Sequence, residues 1–419
     1  MTVSAKQYEP QDQMHIFWLQ DPSSPRLVGA LDLNVRLKGA NFEYSTEWLK
    51  TGVSLSADLP LRTGEFYPEP GHLPGAVDDA RPDRWGERVI RHIDAPKRLS
   101  ILEYLFFAGD DRFGALGVSL QADRFVPCDR EPAPRLDDIP AIYELIQSIE
   151  AGQPVDATRA RLIRPGATLG GAKPKALIDI DGRSHIVKFP EREEIYDIGL
   201  VEHATMTLAN RAGLGAAHTR PINLGGSRGH AIAVTRFDRS TMAGPASRLH
   251  AISMRTALNA AGSEISYSEF ALYLRRFAPA NLAQQMAVTL FRRMVFNILM
   301  DNTDDHEKNH AVVFQADGSQ HLAPAFDILP ACQNLGYQQI GIGDEGSEST
   351  LQNAMRSHKA FRLSLQEAER HVCEVASVVD GWRSHFKQAR VNDRDIEFLS
   401  ASIDRPFLME QRKGALRLG

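Results

Sequence analysis

Asp304, Asn309 and Asp327 are the residues of this chain best suited to chemistry. An amide oxygen and a carboxylate side by side are hard oxygen ligands, of the kind that hold Mg²⁺ together with phosphates. The intervening pattern predicts a hairpin: His310 to Phe314 as a strand, Asp317-Gly318 as a tight turn and Gln320 to Ala323 as the returning strand. The turn lies midway between Asn309 and Asp327, so pairing would bring those two side chains to the open end. Asp304 is then placed to take a proton from an attacking hydroxyl. A base, an asparagine five residues on and a later metal-binding aspartate are the parts used in phosphoryl transfer.

The same stretch carries a competing pattern. His306-Glu307-Lys-Asn-His310 fits the His-Glu-x-x-His motif of zinc peptidases, which needs both histidines on one face of a continuous helix. Here the residues after His310 are β-branched and aromatic and run into a turn, so such a helix would have to stop at its second ligand. A polar loop with no chemistry, or a kinase-like module that binds without catalysing, are the remaining alternatives.

A phosphoryl-transfer site also needs somewhere to hold a nucleotide. Gly166 to Lys175 is a small-residue loop whose glycines let backbone N–H groups approach phosphate oxygens, and it leads into an apolar strand, Ala176 to Ile180. It lacks the Gly-x-x-x-x-Gly-Lys-Ser/Thr spacing of a P-loop. Asp181-Gly182 predicts a turn, after which His185 to Pro190 returns with Lys188 at its centre, the place for a phosphate-holding lysine. Ile198 to Ala212 has helical apolar spacing and ends at Gly213; Glu202 within it is a candidate partner for Lys188. The strand Gly229 to Thr235 runs into Arg236-Phe237, a candidate adenine hinge.

Taken together, several segments resemble the HipA family of serine/threonine kinase toxins. They are Thr168-Leu-Gly-Gly-Ala-Lys-Pro-Lys175, Ile186-Val-Lys-Phe-Pro190, Val234-Thr-Arg-Phe-Asp-Arg239, Leu290-Phe-Arg-Arg-Met-Val-Phe-Asn297, Asn302-Thr-Asp-Asp-His-Glu-Lys-Asn309 and Leu322-Ala-Pro-Ala-Phe-Asp327. Leu27-Val-Gly-Ala-Leu31, Leu55-Ser-x-x-Leu-Pro60, Pro82-Asp-x-Trp-Gly86 and Ala108-Gly-Asp-Asp-Arg-Phe-Gly-Ala115 extend the resemblance toward the N-terminus. It implies an ATP- and Mg²⁺-dependent kinase with Asp304 as base and Asn309 and Asp327 on magnesium. Gly170, Gly171, Ala172, Lys173, Pro174 and Lys175 would form the phosphate loop. Lys188, His306 and Lys308 would lie near the phosphates, and Thr235, Arg236 and Phe237 at the adenine. Thr168 aligns with an autophosphorylated serine, and Thr235 stands where some members have a hinge glutamate. The resemblance further implies a small helix-turn-helix antitoxin as partner, DNA contact only through it, and a protein substrate among translation components such as aminoacyl-tRNA synthetases.

The elements that must position these residues agree with an α+β, two-lobed protein-kinase-like fold of the HipA type. Residues 1–125 read as an extra N-terminal α+β subdomain, with strands at His15–Leu19 and Leu27–Leu33 and helices at Asp83–Ile93 and Ile101–Ala108. Residues 126–150 form a Pro-rich connector, Pro127 to Pro140, and a helix from Ala141 to Ala151; 151–240 form the nucleotide-binding lobe. Residues 241–419 form a mainly helical C-terminal lobe, with apolar spacing at Ser266–Phe277, Leu282–Met300, Ser364–Val379 and Asp393–Ser402. A net charge of −5 offers no basic surplus for direct DNA binding. Cys128, Cys332 and Cys373 are too few and too scattered for a disulfide framework, and no apolar run approaches the roughly 20 residues of a membrane span. Met1 to Pro10 lacks a signal-peptide core, so a cytoplasmic location is expected.

Overall fold

The computed structural model describes residues 5–130, 132–160, 162–165, 171–239, 247–259 and 264–418. The chain forms two compact units that do not follow the four sequence segments. One comprises Met1–Phe189, Arg236–Thr256 and Val313–Gly318; the other comprises Pro190–Thr235, Ala257–Val312 and Ser319–Gly419. The difference arises because two later stretches return to the first unit, which no local pattern can announce.

In the first unit, four antiparallel strands lie in the order Gly39–Tyr44, Arg26–Asn34, Gln13–Trp18, Leu116–Ser119. A register shift at Ile16/Phe17 bends the third of these. Met14, Ile16, Leu31 and Phe42 are fully buried on the sheet, and Phe106, Phe107 and Trp85 are buried too, as their apolar character predicts. The helix Ile101–Phe107 starts at a capping box in which Ser100 and Glu103 satisfy each other's backbone donors.

The helix expected over Asp83–Ile93 is two pieces, an α segment Arg84–Val89 and a π turn Ile90–Asp94 closed by Ala95 at φ 39°. Both share nearly the same apolar spacing, so the sequence does not separate them. The helix expected from Ala141 begins earlier and runs Ile139–Glu150, because Pro140 occupies its first turn, where a missing N–H costs nothing. The predicted hairpin is Lys175–Ile180 with Arg183–Lys188, turning at Asp181 (φ 54°) and Gly182 (φ 76°).

The second unit is mainly helical. Ile198–Arg211 is capped by Asp197, whose side chain accepts from the Leu200 N–H, and Gly213 at φ 76° stops it. A hairpin of Thr219–Asn223 and His230–Thr235 follows. Tyr267–Phe277 and Ala283–Leu299 come next, then Leu365–Asp380, Asp393–Ile403 and Pro406–Leu416. Ala283–Leu299 is the central helix: Leu290, Phe291, Met294, Val295, Phe296, Ile298 and Leu299 are all fully buried. Its Arg293 donates to the carbonyls of Ala323 (2.7 Å) and Leu214 (3.3 Å), and burial pushes its guanidinium down to about 10.

Candidate active site

The central helix ends at Leu299, and Asp301 at φ 55° turns the chain out of it. Asn302 donates to the side-chain oxygen of Asn297 (3.2 Å), and Arg405 holds the Asp301 carboxylate at 2.8 Å. The loop that follows carries Asp304 to Asn309. Two adjacent carboxylates in it behave in opposite ways. Asp304 is exposed, and its Oδ1 accepts from Gln339 Nε2 at 2.7 Å. Asp305 is 2% exposed and accepts from the Tyr267 hydroxyl (2.5 Å), with His310 Nε2 2.9 Å from its other oxygen. Asn297 in turn donates to the Tyr267 oxygen (3.0 Å). Burial, then the Asp305 charge, drive the Tyr267 hydroxyl well above its ordinary value, so it stays a donor. This network pins the loop from below while leaving Asp304 facing water. Sequence reasoning did not single out Asp305, Tyr267 or Gln339; the paired aspartates were the available signal for the first.

Asn309 is 5% exposed. Its backbone N–H donates to His306 O (2.8 Å) and its side-chain nitrogen to Asp304 O (3.3 Å), which fixes the amide so that Oδ1 is the remaining group. Asn309 Oδ1 and Thr303 Oγ1 are buried with no hydrogen-bond partner among the described residues. A buried amide oxygen left without a donor is costly unless a cation or water meets it, so the donor set fits a magnesium ligand. Beyond the loop, Ala311–Phe314 and Gln320–Leu322 are strands as predicted, and Ala323 N–H donates to Ala311 O (2.9 Å). Asp327 adopts φ 58°, a left-handed conformation that a β-carbon resists. None of residues 306–310 is helical; 307 and 308 form a turn. His310 is engaged by Asp305, and His306 Nδ1 lies 3.2 Å from the Lys308 N–H, so the two histidines do not form the helical zinc pair.

Three of the residues expected at the nucleotide, Lys175, Thr235 and Arg236, hold contacts within the protein. Lys175 is the first residue of a strand, not of a loop, and its ammonium is 2.6 Å from Asp83 in an ion pair that is nearly inaccessible on both sides. The reason lies in register: Lys175 stands directly opposite Lys188, and like charges at that spacing need a counter-ion. Gly171 (φ 108°) sits over this lysine, where a β-carbon would come within 2.8 Å of Lys175 Nζ. Lys188 is half-buried at the end of its strand. Thr168 and Gly170 lie outside the described residues.

The other two lie at the expected hinge. Thr235 N–H donates to His218 O (2.9 Å) and Arg236 N–H to Ser184 O (3.1 Å), so both backbone donors are committed to strand pairing. The Arg236 side chain is also committed: it reaches Asp238 (2.8 Å), Asp111 (2.9 Å) and Arg112 O (2.8 Å). Burial alone would raise the Asp111 and Asp238 carboxyls, but Arg236 and Arg239 outweigh it and hold both below the ordinary carboxylate value. Phe237 packs edge-on against Phe113, ring centres 6.1 Å apart. In the second unit Glu202 is 1% exposed, so it is not a solvated helix-face residue.

Antiparallel strands followed by a mainly helical unit, with the loop of Asp304 to Asn309 leaving a buried helix, make this a kinase-like fold. The family model of the HipA-like C-terminal domain matches residues 167–382, and that of the HipA N-terminal domain matches residues 23–119. The chain belongs to the HipA family. It is 24% identical over 182 residues to a putative kinase of Haemophilus influenzae, covering 39% of this chain and 52% of that protein; it therefore spans about half the length of that relative. It is 26% identical over 405 residues to the putative kinase Y4mE of Sinorhizobium fredii, covering 87% and 84%. Among solved structures, the toxin–antitoxin complex of HipA, HipB and operator DNA from Shewanella oneidensis aligns with a TM-score of 0.63 at 17% identity, over 97% of this chain and 96% of that one. At that identity the likeness concerns the fold. Among the described residues no helix is long and apolar enough to cross a membrane.

Proposed function

We propose that this chain is an ATP- and Mg²⁺-dependent protein serine/threonine kinase acting as the toxin of a toxin–antitoxin pair. The observation that carries the reading is the loop 304–309: an exposed carboxylate that accepts from Gln339, five residues before a buried amide whose oxygen has no hydrogen-bond partner among the described residues. Asp304 accepts the proton of the attacking hydroxyl. Asn309 and Asp327 would hold magnesium, which supplies charge neutralisation on the phosphates when bound. To the nucleotide's phosphates this reading assigns Lys188 and the backbone of Gly171 to Pro174 in the first unit, and His306 and Lys308 in the second. Lys175, which follows Pro174, also pairs with Asp83. Adenine contact falls to Phe237 and the carbonyls of the Thr235–Phe237 segment.

The partner is a small helix-turn-helix antitoxin, through which the chain reaches operator DNA; its own charge of −5 suits a passenger better than a reader. The substrate is a component of translation, with aminoacyl-tRNA synthetases the leading class. Phosphorylation of Thr168 would add about −1.5 to −2 charges beside the phosphate loop and weaken nucleotide binding.

The test compares purified chain with its Asp304→Asn and Asp327→Asn variants. Both should lose roughly two or more orders of magnitude in transfer of labelled phosphate from ATP. Magnesium-dependent binding of a fluorescent ATP analogue should survive in Asp304→Asn and fail in Asp327→Asn. Near-normal transfer by Asp304→Asn overturns the assignment.

A further inference from the structure

The loop that holds the catalytic carboxylate is gripped from above as well as from below. Gln339 Nε2 donates to Asp304 Oδ1 at 2.7 Å, although both residues are exposed. An exposed glutamine is ordinarily free to swing, but the backbone on either side of this one is fixed. Gln338 is 2% exposed; its N–H donates to Ser347 O (2.7 Å) and its side chain to Ser349 Oγ (3.0 Å). Ile340 and Ile342 are buried at 1% and 0%. Gly341 N–H donates to Ile265 O (3.0 Å), and Tyr267 N–H donates back to Gly341 O (2.9 Å). The approach there is close enough that a β-carbon at Gly341 would lie 2.8 Å from Ser266 Cβ.

Tyr267 therefore serves both carboxylates. Its hydroxyl holds Asp305, and its backbone N–H holds the strip that delivers Gln339 to Asp304. The start of one helix sets the orientation of two successive side chains in the loop.

We propose that Gln339 is a positioning residue for phosphoryl transfer: its amide fixes the rotamer of Asp304 so that the carboxylate meets the acceptor hydroxyl. This rests on the kinase reading. An amide suits the task because it donates firmly but does not compete for the hydroxyl proton as a second carboxylate would. Holding a base within a narrow range of orientation is worth rate rather than nucleotide affinity.

The experiment uses the full chain and three variants. Gln339→Glu keeps size and shape but replaces the donor by a carboxylate; Gln339→Ala removes it; Gln339→Lys keeps a donor of similar reach. Transfer from labelled ATP to casein and to the chain itself is measured, with binding of a fluorescent ATP analogue and the urea midpoint recorded in parallel. The Glu and Ala variants should lose about tenfold in kcat, the worth of a partly exposed hydrogen bond to a charged group, with KM for ATP and the midpoint held. The Lys variant should recover most of the loss. Wild-type kcat in Gln339→Glu, or equal damage in Gln339→Lys and Gln339→Glu, overturns the role of Gln339 while leaving the kinase standing. Absence of transfer by the unaltered chain overturns both.

Discussion

Replacing Asp83 by Asn should unfold the first unit far more readily than its single lost charge suggests. The carboxylate has two duties: Oδ2 pairs with Lys175 at 2.6 Å, and Oδ1 accepts from Gly86 N–H at 2.8 Å as the cap of helix Arg84–Val89. The two side chains are 8% and 2% exposed, so water cannot replace the missing partner. Asparagine keeps an oxygen for the cap, worth about 1 kcal/mol, and so isolates the charge. Removing one partner of a buried ion pair costs about 3–5 kcal/mol, and here Lys188 stands opposite the lysine in register. Adding Lys175→Met to Asp83→Asn removes the buried positive charge and should return most of that loss, since a buried ion pair and an apolar pair of like volume are often close in stability. The readout is the urea midpoint of each single variant, the double variant and the parent. A loss under about 1 kcal/mol in Asp83→Asn, or a double variant no better than the single, would refute the argument that this pair is electrostatically buried.

Two further expectations follow from the geometry. Asp305→Ala leaves the buried Tyr267 hydroxyl and His310 without their acceptor and should cost about 3 kcal/mol, read by thermal or urea unfolding; a shift within error would mean the loop is held by other contacts. His250 is buried between Trp18 and Phe314, and burial pushes its imidazole down to about 4. Its folded value lies below the unfolded one, so the unfolded chain binds the extra proton and stability falls with pH between about 6.5 and 4. About 2 kcal/mol should be lost from pH 6.5 to pH 5, and His250→Gln should flatten that slope; an unchanged slope would assign the acid sensitivity elsewhere.

Much of the fold is written locally. Asp181-Gly182 announces its hairpin because few other residues tolerate the turn, and Gly213 and Ser364 mark helix ends for equally local reasons. Gly39–Tyr44 and Leu116–Ser119 are legible only with hindsight, being short strands whose identity depends on the neighbours they pair with. At the candidate site, the roles expected of Asp304 and Asn309 rested on residue type and spacing. The opposite environments of Asp304 and Asp305 did not, since Asp305 depends on Tyr267, 38 residues before it, and Asp304 on Gln339, 35 after it. Arg236 shows the converse: its neighbours in sequence suggested a ligand contact, and its partners in space, Asp111 and Arg112 O, use the side chain up.

The division of the chain into interleaved segments bears on how it can be made. Residues 236–256 and 313–318 belong to the first unit, so that unit is incomplete on a ribosome until three quarters of the polypeptide has emerged. Its early strands must wait, exposed, for late pieces, a circumstance that slows folding and invites association between nascent chains. No single cut in the gene yields two self-sufficient fragments: ending at 189 omits the stretch bearing Arg236 and Asp238, and beginning at 190 brings that stretch without its host. Deletion mapping of such a protein by simple truncation would report loss of folding at every boundary, and internal replacement of one unit's segments would be the informative dissection.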